Sequence, residues 1–252
     1  MIPKRIIPFF LLKGNRLIKG TRFKKHIDVG DPLSQALIYD AQGAEELIVV
    51  DIAATAEKRI IKLEIINKMI TRCRLPIAVG GGISSVVEAS RCFSAGADKI
   101  IVNTAAVIRP QLVKELVDAF GSANVMVAID VKKIQDAYRI YIYNGTRRAQ
   151  FDLINYVKQV VFYGAGEIVI TSIDQEGTLN GFECELYTKL RPQISVPMIA
   201  SGGAGTYDDI VHIFEKSECD GVALGKMLFL RDYDIVRIKS YLKGKRIFVR
   251  DA

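Results

Sequence analysis

The chain is poor in the residues that build metal centres and disulfide frameworks. Its four cysteines, Cys73, Cys92, Cys184 and Cys219, stand singly with no CxxC spacing, and its two histidines, His26 and His212, lie in separate regions. A structural zinc site and a disulfide scaffold are both disfavoured, and neither a metal nor another cofactor is expected. No apolar run is long enough to cross a bilayer, and the stretch MIPKRIIPFFLLKGNRLIKG lacks a small-residue cleavage site. A cytoplasmic protein with no membrane partner is the expectation. A dinucleotide GxGxxG fingerprint is also missing. The basic stretch KGKRIFVR lacks interleaved aromatics, reads as a solvated end and implies no nucleic acid.

What is present describes a globular protein able to bury a core: 252 residues, 50% of them hydrophobic and 25% charged. The net charge of +7 is spread along the chain and inclines it toward phosphorylated ligands. Eight short apolar runs read as buried parallel strands, at 6–12, 46–52, 76–82, 99–104, 125–131, 167–174, 197–203 and 221–225. Between them lie helical-period segments such as DPLSQALIYDAQGA, EKRIIKLEIINKMI, SVVEASRCFSAGA and RPQLVKELVDAFG. Eight right-handed strand-helix units of this length favour a closed (β/α)8 TIM barrel over an open sheet. After the fifth strand, YRIYIYNGTRRAQFD alternates around Asn144-Gly145 and predicts a hairpin on the loop side.

The chain also repeats itself. Pro76, Gly81 and Gly82 match Pro197, Gly202 and Gly203, and Glu46 matches Glu167, all 121 residues apart. A single barrel over 1–252 with internal half-barrel duplication, about 1–120 and 121–252, is expected. VGGGIS (79–84) and ASGGAG (200–205) each follow a strand and open a helix, a pattern that offers backbone N–H groups to an anion. With Asn103 and Thr104 after the fourth strand and Gly225 after the eighth, they predict two phosphate sites on one face. His26, in the loop after Lys19, reads as solvated. Asp51 and Asp174 stand at matched strand ends, where a ligand role and a loop-holding role compete. Cys73, Cys92 and Cys219 read as buried packing residues on helices.

Ten motifs together, KRII (4–7), LIKGTRF (17–23), GDP (30–32), VDI (50–52), VGGGI (79–83), NTAAV (103–107), VAID (127–130), GAGEI (164–168), TSID (171–174) and IASGGAG (199–205), resemble the cyclase subunit of imidazole glycerol phosphate synthase. The likeness runs from residue 4 to about residue 242. It implies a barrel that receives ammonia from a glutaminase subunit, as a heterodimer, and uses it on a phosphorylated sugar substrate. It further implies two catalytic aspartates at the ends of the first and fifth strands. Asp130 matches the second, but the first falls at Leu11, and a leucine moves no proton. Losing a general acid or base typically costs ~10² to 10⁴ in rate, so Lys13 or Glu176 would have to substitute. Glu176 is itself a departure, standing in TSIDQEGT where the family carries aspartate. Lys19, Thr171 and Gly177 are implied substrate contacts. Arg5, Glu46, Lys99 and Glu167 match the family's ammonia gate, and Asp98 matches a position at the glutaminase interface.

A retained gate beneath an altered upper site makes acetamido-to-acetamidino conversion of a phosphorylated or nucleotide-linked sugar the first expectation, in a divergent paralogue serving lipopolysaccharide or other surface-polysaccharide synthesis. The histidine-biosynthesis cyclase is the second. A non-catalytic barrel that activates its glutaminase is the third.

Overall fold

The structure is a computed structural model that describes residues 2–230 and 233–251. Among the described residues, twelve strands form one sheet: β1 (Arg5–Lys13), β2 (Arg16–Thr21), β3 (Lys24–Gly30), β4 (Leu47–Asp51), β5 (Ile77–Gly80), β6 (Lys99–Val102), β7 (Val125–Ile134), β8 (Ala137–Ile142), β9 (Arg147–Arg148), β10 (Glu167–Ser172), β11 (Met198–Ser201) and β12 (Gly221–Leu224). Eight of them run parallel in the order β1-β4-β5-β6-β7-β10-β11-β12, and pairing of β12 with β1 closes the barrel. This is the expected TIM barrel, and each of the eight apolar runs supplies one of its strands.

The helices are α1 (Pro32–Ala41), α2 (Leu63–Ile70), α3 (Val86–Ser94), α4 (Thr104–Ile108), α5 (Gln111–Phe120), α6 (Leu153–Phe162), α7 (Cys184–Leu190), α8 (Tyr207–Ser217), α9 (Lys226–Leu230) and α10 (Ile235–Gly244). Local chemistry fixes their starts. Asp31 accepts from Ser34 N–H ahead of Pro32, and Thr206 with Asp209 forms a reciprocal capping box on α8. The second helical segment begins later than its periodicity predicts. Residues 57–62 are turn and coil because Arg59 is drawn back toward β4, and α2 starts only at Leu63. Among the described residues, no helix is long and apolar enough to cross a membrane.

Side chains facing into the barrel stack in layers, as strand alternation requires. Arg5, Glu46, Lys99 and Glu167 lie at the strand N-terminal ends. Above them comes an apolar layer that includes Ile7, Ile48, Met126, Val169 and Ile199, with the small Ala78 and Ala223. A larger cluster, outside the strands, seats the helices. Cys92 is buried on α3, whereas the buried Cys73 and Cys219 lie just beyond α2 and α8, off the helices that their pattern suggested.

Two barrel strands run on into antiparallel extensions. β7 continues through β8 and β9, and its tip at Tyr143-Asn144-Gly145 is the hairpin expected there. β1 continues through β2 and β3, so His26 sits on a strand and not in a loop. Both extensions rise over the C-terminal mouth.

Candidate active site

A cavity of about 420 Å³ opens at the C-terminal ends of the barrel strands, the face on which this fold carries its chemistry. Of the predicted site residues, Leu11, Lys19, Gly81, Gly82, Asn103, Thr104, Asp130, Thr171, Glu176, Gly177, Gly202, Gly203 and Gly225 all line it. His26 is solvent-exposed, as expected, yet it too borders the cavity. Lys13 does not, and it is exposed on the outer part of β1, so it is no substitute for the missing strand-1 carboxylate.

Asp130 projects from β7. Asn103 Nδ2 donates to Asp130 Oδ2 at 2.7 Å, while Asn103 Oδ1 is buried with no partner among the described residues. Burial pushes the Asp130 carboxyl up to about 7, against the Asn103 hydrogen bond and helped by the negative charge of Glu176. A carboxyl poised there is suited to exchanging protons near neutrality. Leu11, across the barrel on β1, packs in register between Val50 of β4 and Ile18 of β2 and brings only hydrocarbon to the cavity.

Lys19 reaches inward from β2. It is 3% exposed, its ammonium donates to the backbone O of Phe9, and its Nζ lies 5.0 Å from the centre of the Phe229 ring. Burial pulls its pKa down to about 7, opposed by the charge of Glu176. Glu176 in turn pins the tip of the β2-β3 hairpin. Phe23 N–H donates to Glu176 Oε2 at 3.0 Å, and Arg22 N–H donates to its backbone O at 2.8 Å. Lys226 bridges Thr21 and Gly177 with two hydrogen bonds of 2.8 Å.

The two glycine loops are built as expected, with a difference at the helices behind them. Gly81, Gly82, Gly202 and Gly203 all have positive φ, from +73° to +115°, and a side chain on Gly82 or Gly203 would overlap a backbone carbonyl, of Arg59 or Gly181 respectively. Three N–H groups just ahead of the helices, however, are already taken. Glu88 accepts from Ser84 N–H at 2.7 Å, and Asp209 accepts from Gly205 and Thr206 N–H at 2.9 and 2.8 Å. Gly82→Ala is expected to cost about 1–3 kcal/mol in backbone strain, seen as a lower urea midpoint at unchanged slope.

The matched aspartates divide. Asp51 borders the cavity but is engaged, with Oδ2 accepting from Arg59 Nη1 at 2.6 Å and Oδ1 from Ala53 N–H at 2.9 Å. Asp174 holds a loop through Lys133 N–H at 2.7 Å and does not line the cavity. Sequence reasoning missed Phe23, Lys58, Arg59, Tyr143, Asn144 and Lys226 as lining residues. All six lie in segments that fold over the mouth.

At the opposite end the four charges meet in one closed ring. Arg5 contacts Glu46 at 3.1 Å and Glu167 at 2.8 Å, and Lys99 contacts Glu46 at 3.0 Å and also Glu167. Burial raises the Glu46 carboxyl, with the charge of Glu167 acting the same way. For Glu167 burial acts upward too, but the hydrogen bonds and charges of Arg5 and Lys99 win and hold it below the usual range. Asp98 lies exposed beside this end and accepts from Ile77 N–H at 2.8 Å.

Comparison with known proteins places this architecture. A family of proteins described as "Histidine biosynthesis protein" matches residues 5–234. The imidazole glycerol phosphate synthase subunit HisF of Natranaerobius thermophilus is 38% identical, covering 99% of this chain and 100% of its own. The subunits of the same name from Halalkalibacterium halodurans and Methanocaldococcus jannaschii are each 39% identical, over 99% of this chain and 100% and 99% of their own. The chain therefore belongs to the histidine biosynthesis protein family and is a HisF-like synthase subunit of the imidazole glycerol phosphate synthase type.

Proposed function

We propose that the protein is the ammonia-using subunit of a glutamine amidotransferase, partnered by a separate glutaminase, and that it condenses ammonia with a phosphorylated acceptor in the upper cavity. The observation that carries this reading is Asp130, a half-buried carboxyl poised near neutrality between two anion-suited glycine loops. The names of the relatives favour the acceptor of histidine biosynthesis, which the residue departures alone rank second. On that reading the products are imidazole glycerol phosphate and an aminoimidazole carboxamide ribotide.

Leu11 favours a second reading. With no carboxyl on β1 opposite Asp130, the site suits an acceptor with other proton demands, such as an acetamido sugar converted to its acetamidino form. The names of the HisF relatives given above do not support that product. The third possibility, a barrel that only stimulates its partner, has no observation of its own.

One assay separates them: ammonium-dependent turnover of the histidine-pathway intermediate and of nucleotide-linked acetamido sugars by the purified chain, with and without a glutaminase subunit. Turnover of the intermediate establishes the first reading, and an inert intermediate with amidine formation establishes the second. Inertness toward both, with glutaminase stimulation retained, refutes the enzyme assignment. Leu11→Asp is expected to raise turnover of the histidine-pathway intermediate at least tenfold, by restoring a proton-transfer group. Unchanged turnover in that variant would mean that Leu11 does not limit the reaction.

A further inference from the structure

The two halves of the barrel present glycine loops of one design to the cavity, but not the same charges. We infer that Lys226 is a specificity-determining residue: its ammonium pairs with a terminal phosphate monoester at the second-half loop, and so fixes which end of the acceptor lies in which half of the barrel. The inference rests on the phosphorylated-acceptor reading above.

Strand register identifies the counterpart of Lys226. Gly80 pairs with Ile101 in the first half, and Ser201 pairs with Ala223 in the second. Three residues further on stand Thr104 and Lys226, each opening the short helix that follows its strand, and both line the cavity. The first half thus offers a neutral hydroxyl where the second offers an ammonium. That hydroxyl is already engaged, since Thr104 Oγ1 accepts from Tyr143 N–H at 3.2 Å. The carboxylates ahead of the next helices widen the difference. Glu88, at the first loop, lines the cavity, whereas Asp209, 121 residues later at the second, does not.

Lys226 is placed to receive an anion. It is half-buried, and its Nζ donates to Thr21 Oγ1 and Gly177 O, both at 2.8 Å. Both acceptors are neutral, an ammonium has three N–H donors, and among the described residues no carboxylate lies at ion-pair distance from it. One N–H and the whole positive charge remain for a ligand. The two existing bonds also hold the side chain in place, so binding costs little further ordering.

The surrounding charges sharpen the preference. Lys19 Nζ reaches the same place, since a Cβ on Gly225 would lie 2.8 Å from it, and Glu176 offsets only one of the two ammonium groups. At the first-half end, Arg59 is paired with Asp51 and Glu57, both at 2.6 Å, and the exposed Lys58 faces a cavity wall that also carries Glu88. The second-half end is therefore the more positive one. A phosphate monoester carries about −1.5 to −2 charges at neutral pH and gains most there.

The test is calorimetric titration of the full chain with glycerol phosphate, at low and at raised sodium chloride, comparing wild type with Lys226→Met, Lys226→Gln, Lys226→Arg and Thr21→Val. Lys226→Met and Lys226→Gln should each bind at least about tenfold more weakly at low salt and show a shallower salt dependence, because a charge-assisted bond is gone. Lys226→Arg, which keeps the charge, and Thr21→Val, which removes only the acceptor on the hairpin, should stay within about threefold of wild type. Affinity in Lys226→Gln within threefold of wild type would overturn the assignment. So would a loss in Thr21→Val as large as that in Lys226→Met, because the effect would then come from anchoring the β2-β3 hairpin. A crystal grown with glycerol phosphate should place the phosphate beside Lys226 and Gly203, and phosphate found at the first loop alone would refute the proposed orientation. Wild type that binds neither glycerol phosphate nor inorganic phosphate defeats the phosphorylated-acceptor reading itself, a result distinct from binding that is indifferent to Lys226. Circular dichroism and thermal unfolding of each variant separate a failure to fold from a loss of binding.

Discussion

Asp130→Asn is expected to lower ammonium-dependent turnover by ~10² to 10⁴ while making the protein more stable above neutral pH. The amide keeps the shape, and its oxygen still accepts from Asn103 Nδ2, so the substitution removes the titrating proton and little else. A carboxyl whose folded pKa is raised contributes stability that is complete below its unfolded value, near 3.8, and is lost as pH rises through about 7. Wild type therefore carries a poorly solvated charge at pH 8, and the Asn variant carries none. The full displacement corresponds to at most ~4 kcal/mol at 1.36 kcal/mol per pH unit. Water entering the cavity reduces it further. Thermal unfolding of both proteins at pH 5 and pH 8.5 checks the sign: the variant's advantage grows across this interval and levels off above pH 8. Wild type more stable than the variant at pH 8.5 would show that Asp130 stays paired or solvated there. Unchanged turnover would remove Asp130 from the chemistry.

The barrel was legible because parallel strands buried on both faces must be continuous apolar runs, and all eight such runs became barrel strands. The floor of the site was legible for the same reason: once strand ends are known, Asp130, Thr171 and the glycine loops are known to share a face. The roof was not. Gly14-Asn15 between alternating residues is a readable turn signal, and it does open the β1-β2 hairpin. At the far tip, however, Arg22 and Phe23 adopt φ of +53° and +59° without a glycine. Nothing local asks for that conformation. It is held by Glu176, 153 residues away from Phe23, through a bond no sequence pattern reports. Arg59 escaped notice similarly, since its segment carries a helical period and the buried Asp51 carboxylate, from the end of β4, holds it at the mouth. Lys13, the nearer substitute for Leu11 in sequence, ends β1 at the exposed β1-β2 turn, while Lys19 returns on β2 and reaches the cavity.

At the other mouth, Glu167→Gln is expected to destabilise the protein by about 3 kcal/mol. Removing one partner of a buried ionic group typically costs about 3–5 kcal/mol. The lower end applies because Arg5 and Lys99 keep side-chain exposures of 21% and 19% and can turn partly to water. The loss should be greatest at neutral pH and shrink as pH falls below about 4.5. A carboxyl with a depressed folded pKa contributes stability above its unfolded value and loses it as pH drops through the folded one. Glu46, shifted upward, contributes with the opposite sign and blunts the wild-type pH dependence. Replacing all four members with apolar residues of similar size should, in contrast, leave stability equal or improved, because well-packed hydrocarbon avoids desolvating four charges. If so, the ring is not kept for stability. Its place beneath an apolar layer containing Ala78 and Ala223, on the barrel axis below Asp130, suits control of what enters the barrel from this end. On the proposed ammonia route, the apolar ring variant should retain turnover driven by ammonium salts and lose most turnover driven by glutamine through a glutaminase subunit. An equal loss of both activities would place the ring's contribution in the fold alone, and an equal retention of both would show that ammonia takes another path.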